Sequence, residues 1–240
     1  MTLRRDPIPS PNFSNRYGSK PRLLVVHTAE GATTYQSLGR FFQTPGNNSS
    51  HVGTDDTVGT VGQYVTREWA SWTVAAYNHV SVNNELCAFA AWTPQEWERH
   101  PVMLDNCAQW IAEESIALGI PIVRLTAAQA QGSGHGVCGH VDLGAAGGGH
   151  HDPGPGFPWS RVIIAAQQYA RPKEVTNLSA LTSIVTPAGF LSYAGIDKNG
   201  NLIQYVADAA QQGTPANTQR KTWSCYNLTS SAANGQPLAV

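Results

Sequence analysis

A chain of 240 residues with 41% hydrophobic and 13% charged residues is long enough for one sizeable core and a small appendage. A formal net charge of −1 leaves no electrostatic footprint for nucleic acid. No window approaches the ~18 apolar residues of a membrane span, and the loop-rich, uncharged polar composition suits a glycan better than a phosphate backbone.

The opening "MTLRRDPIPSPNFSNRYGSK" has two arginines but no apolar core, so a secretory signal is not expected. "PRLLVVHTAEG" (21–31) is a short apolar run closed by Gly and predicts a buried strand. "TTYQSLGRFFQT" predicts a helix behind a Thr cap, with Tyr35, Leu38, Phe41 and Phe42 at helical spacing. "SSHVGTDDTVGTVGQYV" (49–65) predicts a hairpin about an Asp-Asp-Thr turn, and "NELCAFAAW" (84–92) a second buried strand. "HPVMLDNCAQWIAEESIALGIP" (100–121) is the clearest helix, ended by Gly119-Ile-Pro, and "SRVIIAAQQYA" (160–170) reads as a closing helix. Strands alternating with helices predict an α/β domain over 1–170, a central sheet flanked by helices. A polar connector follows at 171–180. Residues 181–240 then shift to Ser, Thr, Asn, Gln and Ala, with two strands about an Asn-Gly turn, and predict a small all-β unit.

The four cysteines, Cys87, Cys107, Cys138 and Cys225, contain no CxxC pair. That argues against a disulfide framework and a thiolate zinc site, and for synthesis in a reducing cytoplasm. The chemistry concentrates instead in "GHVDLGAAGGGHHDPGPGFPW" (139–159), rich in Gly and His and nearly devoid of apolar residues. His27 ends a predicted strand, where α/β sheets place functional groups, and His140 and Asp152 flank the glycine run. A His-His-Asp set with one open position suits a catalytic zinc and a hydrolase. A histidine satisfied in the core and a solvated turn fit the same residues.

Four segments, "VVHTAEG", "SSHVGTDDTVGTVGQYV", "GHVDL" and "HDPGPGFPW", occur in the order they have in the zinc N-acetylmuramoyl-L-alanine amidases of the type-2 class. That class includes phage endolysins, cytoplasmic muropeptide amidases and peptidoglycan recognition proteins. The resemblance covers roughly residues 10 to 170. "HTAEG" and "HHDPGPGFPW" look most like endolysins of phages infecting actinobacteria. It implies Zn2+ on His27, His140 and Asp152, with Glu85 of "NNELCAF" as general base. Ser50 stands where some phage members carry a catalytic Tyr, so that variant is not expected. His150 stands where many members carry an oxyanion-stabilising Lys; an imidazolium donates the same bond, but with a pKa near ~6.5 rather than ~10.

His51, Trp72 and Asn83 match positions that line the substrate groove in the class; a supporting or surface role fits His51 equally, and plain core packing fits Trp72. Asp142 reads as a second partner for an imidazole or as a turn residue, and His151 as pointing away. His79, His100 and His135 carry no motif and are expected to be exposed; Cys138 is expected to be a small buried hydrophobe.

The implied reaction is hydrolysis of the amide between N-acetylmuramic acid and L-alanine, with bacterial peptidoglycan as partner and neither nucleic acid nor membrane involved. The rivals are a non-catalytic muropeptide-binding protein of the same fold and a recycling amidase. All three ligand positions are filled, against the first, and the β unit speaks against the second. A phage enzyme without a signal would be made in the host cytoplasm and reach the wall through another protein's membrane pore. The tail, with "GFLSYAGIDKNGNLIQYV" and "KTWSCYNL", resembles one blade of a lectin-type β-propeller or a packed appendage. About sixty residues of one blade bury too little core to stand alone. This points to a homo-oligomer joined through the tail, with Trp223, Tyr193 and Tyr205 as glycan contacts.

Overall fold

The computed structural model describes residues 2–171 throughout and, beyond them, the backbone of four strands between 181 and 227. Contacts divide the chain into Met1–Arg171 and Pro172–Val240.

The first unit is built on a six-stranded mixed sheet. Its strands are β1 (Arg4–Pro7), β3 (Leu23–Thr28), β4 (Val52–Thr54), β5 (Thr60–Gln63), β7 (Ser81–Leu86) and β8 (Gly136–Gly139), in the order β1-β5-β4-β7-β3-β8. A two-stranded ribbon, β2 (Phe13–Ser14) with β6 (Ala70–Ser71), stands apart. Within the six-stranded sheet only the β4–β5 hairpin pairs antiparallel; β3 runs parallel to both β7 and β8. All six residues of β3 are buried, as a central parallel strand covered on both faces requires. The helices are α1 (Tyr35–Phe42), α2 (Pro94–Trp97), α3 (Pro101–Leu118), α4 (Ala127–Gln131) and α5 (Trp159–Tyr169).

Local chemistry accounts for the boundaries. Thr34 caps α1 by accepting from Ser37 N, and Asp55 Oδ2 accepts from Tyr35 N at 3.0 Å, tying the helix to the hairpin turn. α3 starts with Pro101 at its first position and ends at Gly119, whose φ of +68° closes the helix. Leu104, Cys107, Trp110 and Ile111 of α3 bury against Leu24, Val26 and Val82 of the sheet, and Val162 and Ala166 of α5 join this core. Alternation along β3 sends Leu23, Val25 and His27 to the opposite face, where Leu23 and Val25 pack with Cys138 and Leu143. No helix of the described residues is long and apolar enough to cross a membrane.

One strand differs from expectation. The apolar segment 84–92 is not a strand throughout: β7 begins at Ser81 and ends at Leu86, and 87–92 forms a strap beyond the C-terminal ends of the central strands β4 and β3. Polar Ser81, Asn83 and Asn84 occupy the buried strand largely because their side chains are paired, Asn84 Nδ2 being the exception without a partner among the described residues. Asn83 Nδ2 donates to Ser71 Oγ and Ser81 Oγ, and Asn84 Oδ1 accepts from Thr54 Oγ1. Satisfied hydrogen bonds let a polar strand be buried.

In Pro172–Val240, β9 (Leu181–Val185), β10 (Leu191–Ile196), β11 (Leu202–Ala207) and β12 (Trp223–Asn227) pair antiparallel in the order β12-β11-β10-β9. Ile196 opposite Leu202 sets the register of the β10–β11 pair. The connector 172–180 and the terminal "QPLAV" lie outside the described residues.

Candidate metal centre and groove

Parallel pairing assembles the site. In β3 and β7, His27 lies opposite Glu85, and in β3 and β8, Val26 lies opposite Gly139, so His140 follows immediately at the same sheet edge. Three strand ends therefore deliver His27, Glu85 and His140 to one place, as parallel α/β sheets do.

Asp152 is brought there by the Gly-rich stretch, which is more ordered than its composition suggests. It forms two short 3-10 turns, His140–Leu143 and Ala145–Gly147, and Leu143 anchors it in the core at 1% exposure. Asp142 serves the turn: its Oδ2 accepts from Gly139 N at 2.7 Å and pairs with Arg124 at 2.7 Å, and it does not touch an imidazole. Val141 N donates to Asp152 O at 2.9 Å, closing the loop onto the first turn.

His27 Nδ1 lies 3.0 Å from His140 Nδ1 and 3.3 Å from Asp152 Oδ2, and His140 Nδ1 lies 3.4 Å from Asp152 Oδ1. All three residues are buried. The remaining ring nitrogens are committed. His140 Nε2 is 2.8 Å from Gly147 O, which can only accept, so this nitrogen carries the proton. His27 Nε2 is 3.1 Å from Asn83 Oδ1, whose amide nitrogen already donates elsewhere. Neutral rings in these tautomers aim two Nδ1 lone pairs and a carboxylate at one point. Such an arrangement is repulsive unless a cation sits among them. Ligands ~2.0–2.1 Å from a tetrahedral zinc stand roughly 3.3 Å apart, so the donor set and its spacing fit the ion. The outward N–H bonds to Gly147 and Asn83 are the supports that metal-ligating histidines require.

The electrostatics agree. Burial opposes an imidazolium at His27, but Glu85 and Asp152 outweigh it and raise its pKa. Burial likewise opposes ionisation of Asp152, yet the His140 and His27 hydrogen bonds hold its pKa far below the usual carboxylate range. Glu85 Oε1 is 3.8 Å from His27 Nδ1, and burial raises its pKa. A buried carboxylate poised in this way is suited to moving protons.

These groups open into a groove of ≈ 650 Å³, floored by His27, Glu85, His140 and Asp152 and walled by Leu38, Phe41 and Phe42 of α1 and by Asn48, Ser49 and Thr73. His150 reaches it from the loop, its ring stacked on His140 at 4.2 Å and its side chain 57% exposed. Burial and the neighbouring His140 lower the His150 pKa. Gly148, at φ +109°, makes room for that stack, since a Cβ there would lie 3.2 Å from the His150 ring.

Of the three residues matched to groove positions, His51 and Asn83 do not line the groove, and Trp72 adjoins Thr73, which does. His51 is 1% exposed; its Nδ1 accepts from Asn83 N at 3.0 Å and its Nε2 lies 3.0 Å from Trp69 O, so it ties the hairpin to β7 and β6. Burial, then the adjacent Arg16, push its pKa down to about 3. Asn83, fully buried, supports His27 from behind. Trp72 is 37% exposed at the groove's flank, its Nε1 donating to Ser14 Oγ. Their polar partners come from distant segments, which no local pattern reveals. His135 is exposed and Cys138 is buried, as expected, whereas His151, though exposed, lines the groove rather than pointing away from it. His79 and His100 are half-buried instead; His100 stacks on Trp92 at 4.3 Å and pairs with Asp56. Gly147, whose carbonyl fixes the His140 tautomer, had no side chain to draw attention to it.

The family model of N-acetylmuramoyl-L-alanine amidases matches residues 17–155. The chain belongs to that family. The matched span contains every residue of the centre, so the sheet edge, groove and His-His-Asp cluster are features of an amidase domain. Among solved structures, this domain resembles the Staphylococcus aureus hydrolase AmiA, at 17% identity and a TM-score of 0.55 over 71% of this chain and 84% of that one. It also resembles the endolysin amidase LysCS from Clostridium intestinale, at 12% identity and a TM-score of 0.48 over 70% and 97%. The likeness to AmiA is one of fold. No curated protein matches the chain.

Proposed function

We propose that this amidase is a zinc-dependent hydrolase of peptidoglycan that cleaves the bond between N-acetylmuramic acid and L-alanine, acting as a phage endolysin. The observation that carries the reading is the convergence of His27 Nδ1, His140 Nδ1 and Asp152 with both outer ring nitrogens already committed. His27, His140 and Asp152 would hold the zinc, which when bound supplies Lewis acidity toward water and the scissile carbonyl.

The chain's own groups then divide the work. Glu85 takes a proton from the attacking water and returns it to the leaving alanine amine, a role supported by its raised pKa and its place beside His27. His150, at the groove's rim, donates a hydrogen bond to the developing oxyanion. Its lowered pKa confines the imidazolium form to acidic solution, whereas a lysine would stay charged well above neutrality. The α1 wall, with Leu38 and Phe41, excludes water from one side of the substrate.

The endolysin assignment adds synthesis in a host cytoplasm and release through a pore made by another protein. The residues beyond 180 complete it as a small all-β wall-binding unit through which copies associate. Incubation with purified peptidoglycan should release one new alanine amino terminus per cleaved stem. Intact turnover by protein stripped of metal would defeat the reading.

A further inference from the structure

Glu30 combines three features that the reaction leaves unused. It is a non-glycine residue at φ +55°, it sits three residues beyond His27 on the groove's lining, and its carboxylate, on an otherwise exposed residue, accepts from a backbone N–H and a threonine hydroxyl. Its Oε1 accepts from Ala90 N at 2.7 Å and from Thr28 Oγ1 at 2.5 Å, while its own N–H donates to Ala88 O at 3.1 Å. A left-handed backbone costs a non-glycine residue of order 1 kcal/mol or more and persists only where surroundings impose it. Here two of the three contacts, to Ala88 and Ala90, run to the strap 87–92, and the third runs to Thr28 at the end of β3.

That strap is the wall against which the ligand loop rests. Gly154 stands at φ +85° with its α-carbon so close to the strap that a Cβ would collide with Ala90 O, and a Cβ at Gly156 would collide with Trp92 O. On its other side, the Asp152–Pro153 segment abuts β8, where a Cβ at Gly139 would lie 2.7 Å from Pro153 Cδ. Asp152 is thus wedged between a sheet strand and the strap. The sheet side is rigid. Cys87 at the start of the strap still donates to Thr54 O of β4 at 2.8 Å; beyond it, Glu30 fastens the strap at Ala88 and Ala90 to the end of β3, where Thr28 N lies 3.4 Å from Asp152 Oδ2.

We propose that Glu30 is a positioning residue that pins the strap and thereby sets Asp152 for metal binding. The inference rests on the reading of Asp152 as a ligand. Supports of this kind contribute roughly 10- to 100-fold to metal affinity.

The test uses the full chain and two readouts. Zinc affinity is measured by competition with a chromophoric chelator, and amide hydrogen exchange is followed by mass spectrometry in metal-free protein. Glu30→Ala should weaken zinc binding roughly 10-fold or more and speed exchange in peptides spanning 88–92 and 150–156, leaving α3 unchanged. Glu30→Gln, whose amide oxygen accepts the same two bonds, should restore both toward wild type. If Glu30→Ala does not fold, Thr28→Val removes one of the two bonds and should shift both readouts in the same direction. Unchanged exchange in both peptides overturns the inference, whatever the zinc result. A wild-type chain that binds no zinc but whose Glu30→Ala variant exchanges faster there would instead overturn the metal reading and leave the strap's role standing.

Discussion

Asn83 Oδ1 lies 3.1 Å from His27 Nε2, with the asparagine fully buried behind the ring. The contact fixes the tautomer that turns His27 Nδ1 toward His140 and Asp152. It makes Asn83 a support of the centre rather than a wall of the groove. Asn83→Ala should therefore weaken zinc roughly 10- to 100-fold. With zinc in excess, KM for peptidoglycan fragments should stay near wild type; a raised KM with unaltered zinc affinity would return Asn83 to the groove.

Metal content follows from the same geometry. Elemental analysis of purified protein should give about one zinc per chain through a single tetrahedral site, and His140→Ala should lose both zinc and activity. On the proposed reading zinc binds the folded chain alone, so free zinc at 100 times its dissociation constant should add ~2.7 kcal/mol of stability. A melting temperature indifferent to chelator would count against the site.

Rate should separate from binding at Glu85. Glu85→Gln keeps the shape of a side chain outside the proposed ligand set, so zinc and fold should persist while kcat falls by about two orders of magnitude or more. Turnover at the wild-type level would send the search for a base elsewhere, and buried His51 is poorly placed to supply one.

His51 predicts an acid-side loss of stability. Its folded pKa of about 3 lies below the ~6.5 of an unfolded histidine. The unfolded chain thus binds the extra proton between those values, and stability present above pH ~6.5 drains as pH falls toward 3. The slope is up to about 1.4 kcal/mol per pH unit. His51→Asn retains an acceptor for Asn83 N but cannot titrate, so its unfolding free energy should fall less steeply than wild type between pH 6.5 and 4.5. Comparing the two cancels the other ionisable groups, and parallel curves would show that His51 does not titrate as buried.

The tail should govern assembly and wall affinity. Light scattering is expected to show the full chain as an oligomer and a truncation ending at Ala170 as a monomer with weaker sedimentation on cell walls. A monomeric full chain, or a truncation that sediments equally well, would leave the tail as a packed appendage.

What the sequence determined by itself was everything carried by local pattern and chain order. The apolar run ending in His27 reads as a central strand because both faces of β3 are covered, and Thr34 and Gly119 mark helix ends through their own backbone chemistry. Asp152 before Pro-Gly, and His140 before a 3-10 turn, were visible as motif positions.

Tertiary structure alone decided which polar residues are interior. Asn83 and His51 look like groove residues in one dimension, yet are buried because Ser71, Ser81 and Trp69, brought in by other segments, satisfy them. The strap 87–92 reads as strand because burial and apolar composition are shared by strands and covered loops; its path depends on backbone contacts with Gly154 and Gly156, some sixty residues away. Glu30 is invisible in sequence for the same reason. A carboxylate's partners are set by packing across the fold, and hydrogen bonds to backbone atoms leave no residue type behind to read.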